Sequence, residues 1–244
     1  MNKTLLGSNH DVVEMKKLVA KAVEAYEGAA DLFFGAACPG CGVPGLGVCD
    51  GCMEEARRQR IIRRNLRGDL TVFAACEYKN PVRRLILAHK NRSAWWLSKP
   101  LAKLLAEKIS VPSKVTLCPI PSDVSAVRKR GYDHSFQLAK EISKISGCQV
   151  KRLLRRSKAA GDQIGRDKAD RARAQRNTMS LARDCSGQVL LLDDVVTTGA
   201  TLREAHRVLK DAGISCVNAV TIASTGLRLA SFQDEKVNKA VTFT

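Results

Sequence analysis

The chain has 244 residues, 45% of them hydrophobic, with 41 Lys and Arg against 24 Asp and Glu, a formal net charge of +17. No apolar run reaches the length of a bilayer span, and Met1 to Val13 lacks the apolar core of a secretory signal; both exclude a helical membrane or exported protein and predict a cytoplasmic one. A chain of this length holds one α/β domain of ordinary size with a smaller module beside it, and so large a positive excess favours polyanionic partners such as nucleic acid.

Residues 1–36 read as a polar tail followed by an amphipathic helix. Val12, Met15, Val19, Val23 and Tyr26 recur at helical spacing up to about Phe34, with Lys16, Lys17, Lys21 and Glu24 between them. The mixed charges and modest apolar face suit packing on the body of the protein better than a membrane surface.

Two Cys-x-x-Cys pairs follow, Cys38-Pro-Gly-Cys41 and Cys49-Asp-Gly-Cys52. Each pair sits on a tight turn that presents two thiolates, and two such knuckles complete a tetrahedral sulfur site with no open position. Structural Zn2+ is the predicted occupant; a rubredoxin-like iron site or a redox dithiol is the lesser alternative. The other five cysteines, Cys76, Cys118, Cys148, Cys185 and Cys216, stand singly in apolar contexts and read as buried thiols.

From Glu54 to Arg67 the chain carries Arg57, Arg58, Arg60, Arg63, Arg64 and Arg67 among few apolar residues. This segment reads either as a solvated helix face or as a set of phosphate contacts, with Arg57, Arg58, Arg60, Arg63 and Arg64 as the nucleic-acid candidates. Leu70 to Tyr78 predicts a strand, and Pro81 starts a helix over Val82 to about Lys90. A second helix is expected from roughly Leu97 to Ile109. Trp95 and Trp96 between them suit core or interface packing first, and stacking on a base second.

Lys114 to Ile120 predicts a strand that ends in Cys118-Pro-Ile-Pro-Ser122. The loop beyond it, through Arg128, Lys129 and Arg130 to Gly131, enters a helix running from about His134 to Ser146. A basic loop that leads into a helix suits a phosphoryl group, so Ser122, Arg128, Arg130 and Gly131 are candidates for holding one. His134 is weighed as a general base and read instead as a helix-start or surface histidine. After a short strand over Val150 to Arg156, the polar stretch Ser157 to Thr178 carries Gln163, Arg166, Lys168, Arg171, Arg173 and Arg176. A loop of this size inside a compact domain reads either as disordered or as a functional lid, and its cations suit covering a phosphorylated ligand and excluding water.

The densest signal is Val189-Leu-Leu-Leu-Asp-Asp-Val-Val-Thr-Thr-Gly-Ala-Thr201. Val189 to Leu192 predicts a buried parallel strand, and an amphipathic helix opens at the Gly-Ala-Thr-Leu segment and lasts to about Ala212. Between them the free amides of Thr197, Thr198, Gly199, Ala200 and Thr201 face outward at a helix N-terminus, which makes a phosphate cradle. Asp193 and Asp194 sit at the strand's C-terminal edge, where two anions beside a phosphate need sugar hydroxyls and Mg2+ as partners. Ile214 to Ala223 supplies a further strand, and the tail from Gly226 carries no signal.

This stretch resembles the phosphoribosyl-diphosphate (PRPP) fingerprint of type I phosphoribosyltransferases. The resemblance implies that Asp193 and Asp194 hold the ribose hydroxyls and act on Mg2+, while residues 197–201 take the 5′-phosphate. Other landmarks fall in order across Ala37 to Ala223: the cysteine pairs, Tyr78-x-x-Pro-Val-Arg-Arg-Leu-Ile with His89-Lys90, Pro-Ile-Pro with Arg130-Gly131-Tyr132, and Gln163 with Arg171 and Asn177. With them the chain resembles the ComF family of competence-associated phosphoribosyltransferase-like proteins. That likeness implies a type I phosphoribosyltransferase fold, a parallel sheet flanked by helices, with a small N-terminal zinc module. Its expected divisions are 1–36, the zinc module with its Arg-rich segment at 37–68, and the phosphoribosyltransferase-like domain at 69–244. It further implies PRPP with Mg2+ as ligand, Zn2+ as structural metal, single-stranded DNA and DNA-uptake proteins as partners, and Gln163 and Arg171 as lid residues. With PRPP as ligand, the resemblance implies that Ser122, Arg128, Arg130 and Gly131 form the diphosphate loop; the family pattern Arg-Gly-Phe-Asn-Gln is Arg-Gly-Tyr-Asp-His here, which puts Asp133 and His134 beside it. Two other functions share the motif: a nucleobase or amine phosphoribosyltransferase of salvage, and a PRPP-sensing regulator without turnover. The sequence names no acceptor.

Overall fold

The computed structural model describes residues 37–66, 69–91, 94–156, 178–226, 234–237 and 241–242. The expected helix over 12–34 and the lid residues Gln163 and Arg171 lie outside the described residues. The chain divides into two compact units, Met1–Cys49 and Asp50–Thr244.

In the first unit, the Cys38 N–H donates to the Val43 carbonyl at 2.8 Å and the Gly42 N–H to the Cys38 carbonyl at 2.8 Å. A bridge between Ala37 and Pro44 closes this small loop.

The second unit opens with helix α1, Asp50–Arg58, and then strand β1, Ile61–Leu66. The Arg-rich segment is therefore only partly a helix. Beyond Arg58 it alternates into a strand, with Ile62, Arg64 and Leu66 all buried on one face. Next come β2, Leu70–Glu77, α2, Val82–Asn91, a short 3-10 turn over Trp95–Leu97, and α3, Ser98–Lys108. The Asn80–Pro81 peptide bond is cis. The Lys108 ammonium reaches the carbonyls of Ala56 at 3.2 Å and Ala75 at 2.9 Å, and also that of Gln59, tying α1, α3 and β2 together.

The middle of the unit holds β3, Ile109–Ser110, β4, Thr116–Pro119, α4, Val124–Arg130, and α5, His134–Ser146. Strands β5, Gln149–Val150, β6, Leu154–Arg156, and β7, Met179–Leu181, come next. The last stretch holds β8, Val189–Val196, α6, Ala200–Asp211, β9, Cys216–Ser224, β10, Asp234–Val237, and β11, Val241–Thr242.

Seven strands form the main sheet in the order β10-β1-β2-β9-β8-β4-β5. Strands β2, β9, β8, β4 and β5 pair in parallel, whereas β1 runs antiparallel to both β2 and β10. The sheet is thus mixed rather than wholly parallel. The reversal follows from the short connection between β1 and β2, which allows only a hairpin, whereas parallel neighbours need a crossover. Strand β10 also corrects the expectation of an uninformative tail, because it covers the free edge of β1.

Val189 to Leu192 are wholly buried, as a central strand covered on both faces requires. Helix α6 turns Leu202, Ala205, Val208 and Leu209 inward. Burying the fully enclosed leucines and valines stabilises the fold by about 1.5–3 kcal/mol each. Of the five single cysteines, Cys76, Cys118, Cys148 and Cys185 are buried and Cys216 partly so. No helix among the described residues is long and apolar enough to cross a membrane.

Candidate functional site

A cavity of about 540 Å³ opens where β8 and β4 end. This is the edge of a parallel sheet at which strand-to-helix loops converge. Asp193, Asp194, Thr197 and Thr201 reach it from β8 and α6; Ser122, Arg130 and His134 reach it from the β4 side. Lys90 at the end of α2 and Arg156 at the end of β6 complete its charged wall.

The two acids differ in their surroundings. Strand β8 continues through them to Val196 instead of stopping at Leu192, and its pleat turns successive side chains to opposite faces. Asp194 is buried, with Lys90 Nζ 3.0 Å from Oδ2 and 3.4 Å from Oδ1, and with His134 Nε2 3.3 Å from Oδ2. Burial alone would raise its carboxyl, but the His134 hydrogen bond and the Lys90 charge outweigh that and hold it well below the usual carboxylate range. Asp193 is half-buried. Desolvation, and next the charge of Asp194, push its carboxyl up to about 7, while the Asp194 N–H donated to its Oδ1 at 2.9 Å opposes them.

His134 is the first residue of α5, as expected, but it is buried rather than on the surface. Its Nδ1 lies 3.2 Å from Arg130 Nη2 and 3.1 Å from Ser122 Oγ. A guanidinium can only donate, so Nδ1 carries the lone pair and the Nε2–H faces Asp194. Asp133 caps α5 by accepting from the Phe136 N–H at 3.3 Å, accepts from Ser122 Oγ at 2.8 Å, and pairs with Arg152 at 3.6 Å. The charge it brings is therefore engaged locally. Behind His134, His89 is buried with Nε2 2.8 Å from Ser98 Oγ, and desolvation lowers it to about 4. The Tyr132 hydroxyl donates to the His89 carbonyl.

The loop after β8 is held from below. Arg64 is 2% exposed and donates through Nη1 to the Thr197 carbonyl at 2.5 Å and through Nη2 to the Thr225 carbonyl at 2.7 Å. This corrects its reading as a nucleic-acid contact, because a guanidinium at the inner face of β1 does not meet an external phosphate. Gly199 precedes α6 at φ +73°, and a Cβ there would stand 2.6 Å from a Leu66 methyl. Thr197 and Thr198 are exposed, and the Ala200 N–H lies 3.3 Å from Thr198 Oγ1. Thr198, Gly199 and Ala200 belong to the loop without lining the cavity wall.

The segment expected as a diphosphate loop contains α4, capped by Asp123, which accepts from the Ser125 and Ala126 N–H groups. Gly131 ends that helix in the left-handed conformation. Ser122 and Arg130 line the cavity, whereas Arg128 and Gly131 do not. The Arg130 Nε is buried without a partner among the described residues. Of the arginines on α1, Arg57 pairs with Glu107 at 2.9 Å and Arg58 with Glu54 at 3.2 Å, and Arg60 is exposed. Trp95 and Trp96 are 61% and 38% exposed, so they are not core residues.

Sequence reasoning did not select Lys90, His134 or Arg156 as site residues. The available signals were His89-Lys90 at the end of an amphipathic helix and a titratable side chain directly after the Asp133 cap.

The Sγ atoms of Cys38, Cys41, Cys49 and Cys52 all lie within 4.8 Å of one another, and those of Cys41 and Cys49 are 3.6 Å apart. Four thiolates around zinc at about 2.3 Å stand roughly 3.8 Å apart, so the cluster could hold that ion. The Cys49 N–H points at Cys38 Sγ from 3.3 Å. Burial raises the Cys38 thiol, yet the amides of Cys49, Cys41 and Gly40 bring it down to about 6, which favours the thiolate.

Residues 122–239 match the family model for the phosphoribosyl transferase domain. The fold is that of a type I phosphoribosyltransferase with a mixed sheet, and a four-cysteine cluster lies near the N-terminus. Competence protein F of Haemophilus influenzae is 27% identical over 151 residues, which are 56% of this chain and 65% of that protein. The chain thus spans just under two thirds of that relative's length. DNA utilization protein YhgH of Salmonella typhi is 24% identical over 201 residues, covering 77% of this chain and 84% of that one. Among solved structures, an adenine phosphoribosyltransferase aligns over 78% of this chain and 96% of its own, at 13% identity and a TM-score of 0.37.

Proposed function

We propose that the chain is a phosphoribosyltransferase-like protein that binds PRPP with Mg2+ and handles single-stranded DNA during natural transformation. The observation that carries the reading is the cavity itself. It gathers the paired acids, two residues of the threonine-rich loop and the cations Lys90, Arg130 and Arg156 at one sheet edge. A sugar with phosphoryl groups at both ends needs that combination of carboxylates for hydroxyls and cations or amides for phosphate.

In this reading the amides and hydroxyls of 197–201 take the 5′-phosphate. Ser122 and Arg130 face the diphosphate, and Asp193 turns to the ribose. Lys90 and His134 keep Asp194 ionised and fixed beside it. Mg2+ would be held on the Asp193 side and would neutralise diphosphate charge. Arg130 and Arg156 would take up charge as the diphosphate departs, so the chemistry available here is electrostatic.

The DNA half of the reading is supported by the net charge of +17 and by relatives whose names refer to competence and DNA utilization. It places the protein in the cytoplasm, with DNA-uptake proteins as partners and Zn2+ in the cysteine cluster as a structural ion.

Calorimetry of zinc-loaded protein with PRPP and MgCl2 tests the ligand. A binding heat that vanishes in the Asp193→Asn, Asp194→Asn double variant is expected, and no heat with well-folded wild type would end the PRPP reading. Titration with oligo(dT) at several salt concentrations tests the DNA half, which a flat dependence would remove.

A further inference from the structure

We propose that Arg64 is a positioning residue that sets the shape of the Thr197–Thr201 loop from behind. The inference rests on the reading above, that this loop holds a phosphate monoester, and it names what gives the loop its geometry.

Strands β8 and β9 are parallel neighbours that end at Val196 and Ser224, and the Thr225 N–H still donates to the Val196 carbonyl at 3.0 Å. Directly past those ends, the Thr197 and Thr225 carbonyls have left the sheet ladder. Both turn to the Arg64 guanidinium, at 2.5 and 2.7 Å. Two carbonyls on two chain segments are spanned by one planar fork, whose donors keep a fixed spacing and direction that the rotatable donors of a lysine ammonium do not. Fixing the Thr197 carbonyl fixes the plane of the Thr197–Thr198 peptide, and with it the direction of the Thr198 N–H, the second amide of the loop.

A second contact from the same strand supports the loop. Leu66, two residues on and on the same face of β1, sits against Gly199 so closely that a Cβ there would meet its methyl at 2.6 Å. Strand β1 is the one antiparallel strand among the parallel ones, and its buried face thus acts as a brace for the loop. The guanidinium also adds a positive charge behind the amides, where it reinforces the field an anion would meet.

The test uses the full-length, zinc-loaded chain and two probes, ribose 5-phosphate for the loop and inorganic diphosphate for the Ser122 and Arg130 side. Arg64→Lys keeps the charge and loses the fork; Arg64→Met loses both. Arg64→Lys is expected to weaken ribose 5-phosphate by about 10- to 100-fold, the scale of a binding group displaced by a fraction of an ångström to an ångström, and to leave diphosphate within about twofold. Arg64→Met should weaken ribose 5-phosphate further. Unchanged ribose 5-phosphate affinity in a folded variant would overturn the proposal, and so would equal weakening of both probes. Failure of both variants to fold would also count against it, since Arg64 would then serve folding alone. Wild-type protein that binds neither probe would instead remove the functional reading on which the proposal stands.

Discussion

Lys90 Nζ stands 3.0 Å from one carboxylate oxygen of Asp194 and 3.4 Å from the other, so a cation at the end of α2 spans a buried acid in the middle of the sheet. On the other side His134 meets the same carboxylate at 3.3 Å. The depressed carboxyl of Asp194 contributes stability above the unfolded value near 3.8, and that contribution is lost as pH falls toward the folded value. Lys90→Met should therefore destabilise the protein at pH 7 by about 1–3 kcal/mol, toward the lower figure because His134 remains. Denaturant melts at several pH values check this, and the difference between variant and wild type should shrink below about pH 4.

Asp193 is shifted in the opposite direction, and its sign is opposite too. Its folded value near 7 exceeds the ordinary 3.8, so the folded protein holds a proton that the unfolded chain releases between those values. Stability from this group is present at low pH and is lost as pH rises through 7. Asp193→Asn should raise stability at pH 8 by roughly 1–3 kcal/mol and flatten the dependence between about pH 4 and 7. If the ionised carboxylate is what ribose and Mg2+ require, PRPP binding should release a proton near neutrality. Calorimetry in two buffers of different ionisation enthalpy measures that release.

The central strand, loop and helix could be read in the sequence because each leaves a local mark: four apolar residues in a row, a small-residue turn and a 3.6-residue apolar period. The Asp123 and Gly131 caps of α4 are equally local marks, but the helix buries no residue and so carries no apolar period, which leaves the segment looking like a loop in the sequence. What sequence could not show depends on pairing across the chain. Arg63 and Arg64 are adjacent and chemically identical, and only the register of β1 on β2 decides that Arg64 points inward. Strand β10 exists because β1 offers it an edge. Lys90, His134 and Arg156 come from three separate elements and share a site only once the sheet has assembled.

The cysteine cluster makes a prediction that is independent of the cavity. Metal analysis of protein purified without chelator should find about one equivalent of zinc, and Cys52→Ser should lose most of it. Four-thiolate zinc contributes on the order of 10 kcal/mol of binding energy to folding. Prolonged chelation should therefore lower the melting temperature of wild type and leave a zinc-free Cys52→Ser variant unchanged. Equal responses would mean the cluster holds no structural ion.

For nucleic acid, the exposed basic residues are the ones expected to matter. Arg58→Gln and Arg60→Gln should each lower the slope of log affinity against log salt by about 0.7 for a single strand, provided each meets one phosphate. Fluorescence is a suitable readout, because Trp95 and Trp96 are the chain's two tryptophans and both are exposed. Stacked bases should quench them. Quenching with an unaltered slope in both arginine variants would move the phosphate contacts off α1 and its C-terminal flank.

Gly199 gives the most local test of the loop. Its φ of +73° lies in the region a Cβ disfavours, which costs about 1–2 kcal/mol for an alanine. Alanine would also bring that Cβ to 2.6 Å from a Leu66 methyl, so Leu66 must move or the loop must rise. The first cost acts on stability and the second on loop position, and the two can be separated. Gly199→Ala should lower stability and weaken ribose 5-phosphate. Adding Leu66→Ala should restore much of the ligand affinity by removing the clash, while stability falls further from the cavity left in the core, by about 2–5 kcal/mol. If the double variant binds no better than Gly199→Ala alone, the left-handed backbone itself shapes the cradle and the Leu66 contact does not.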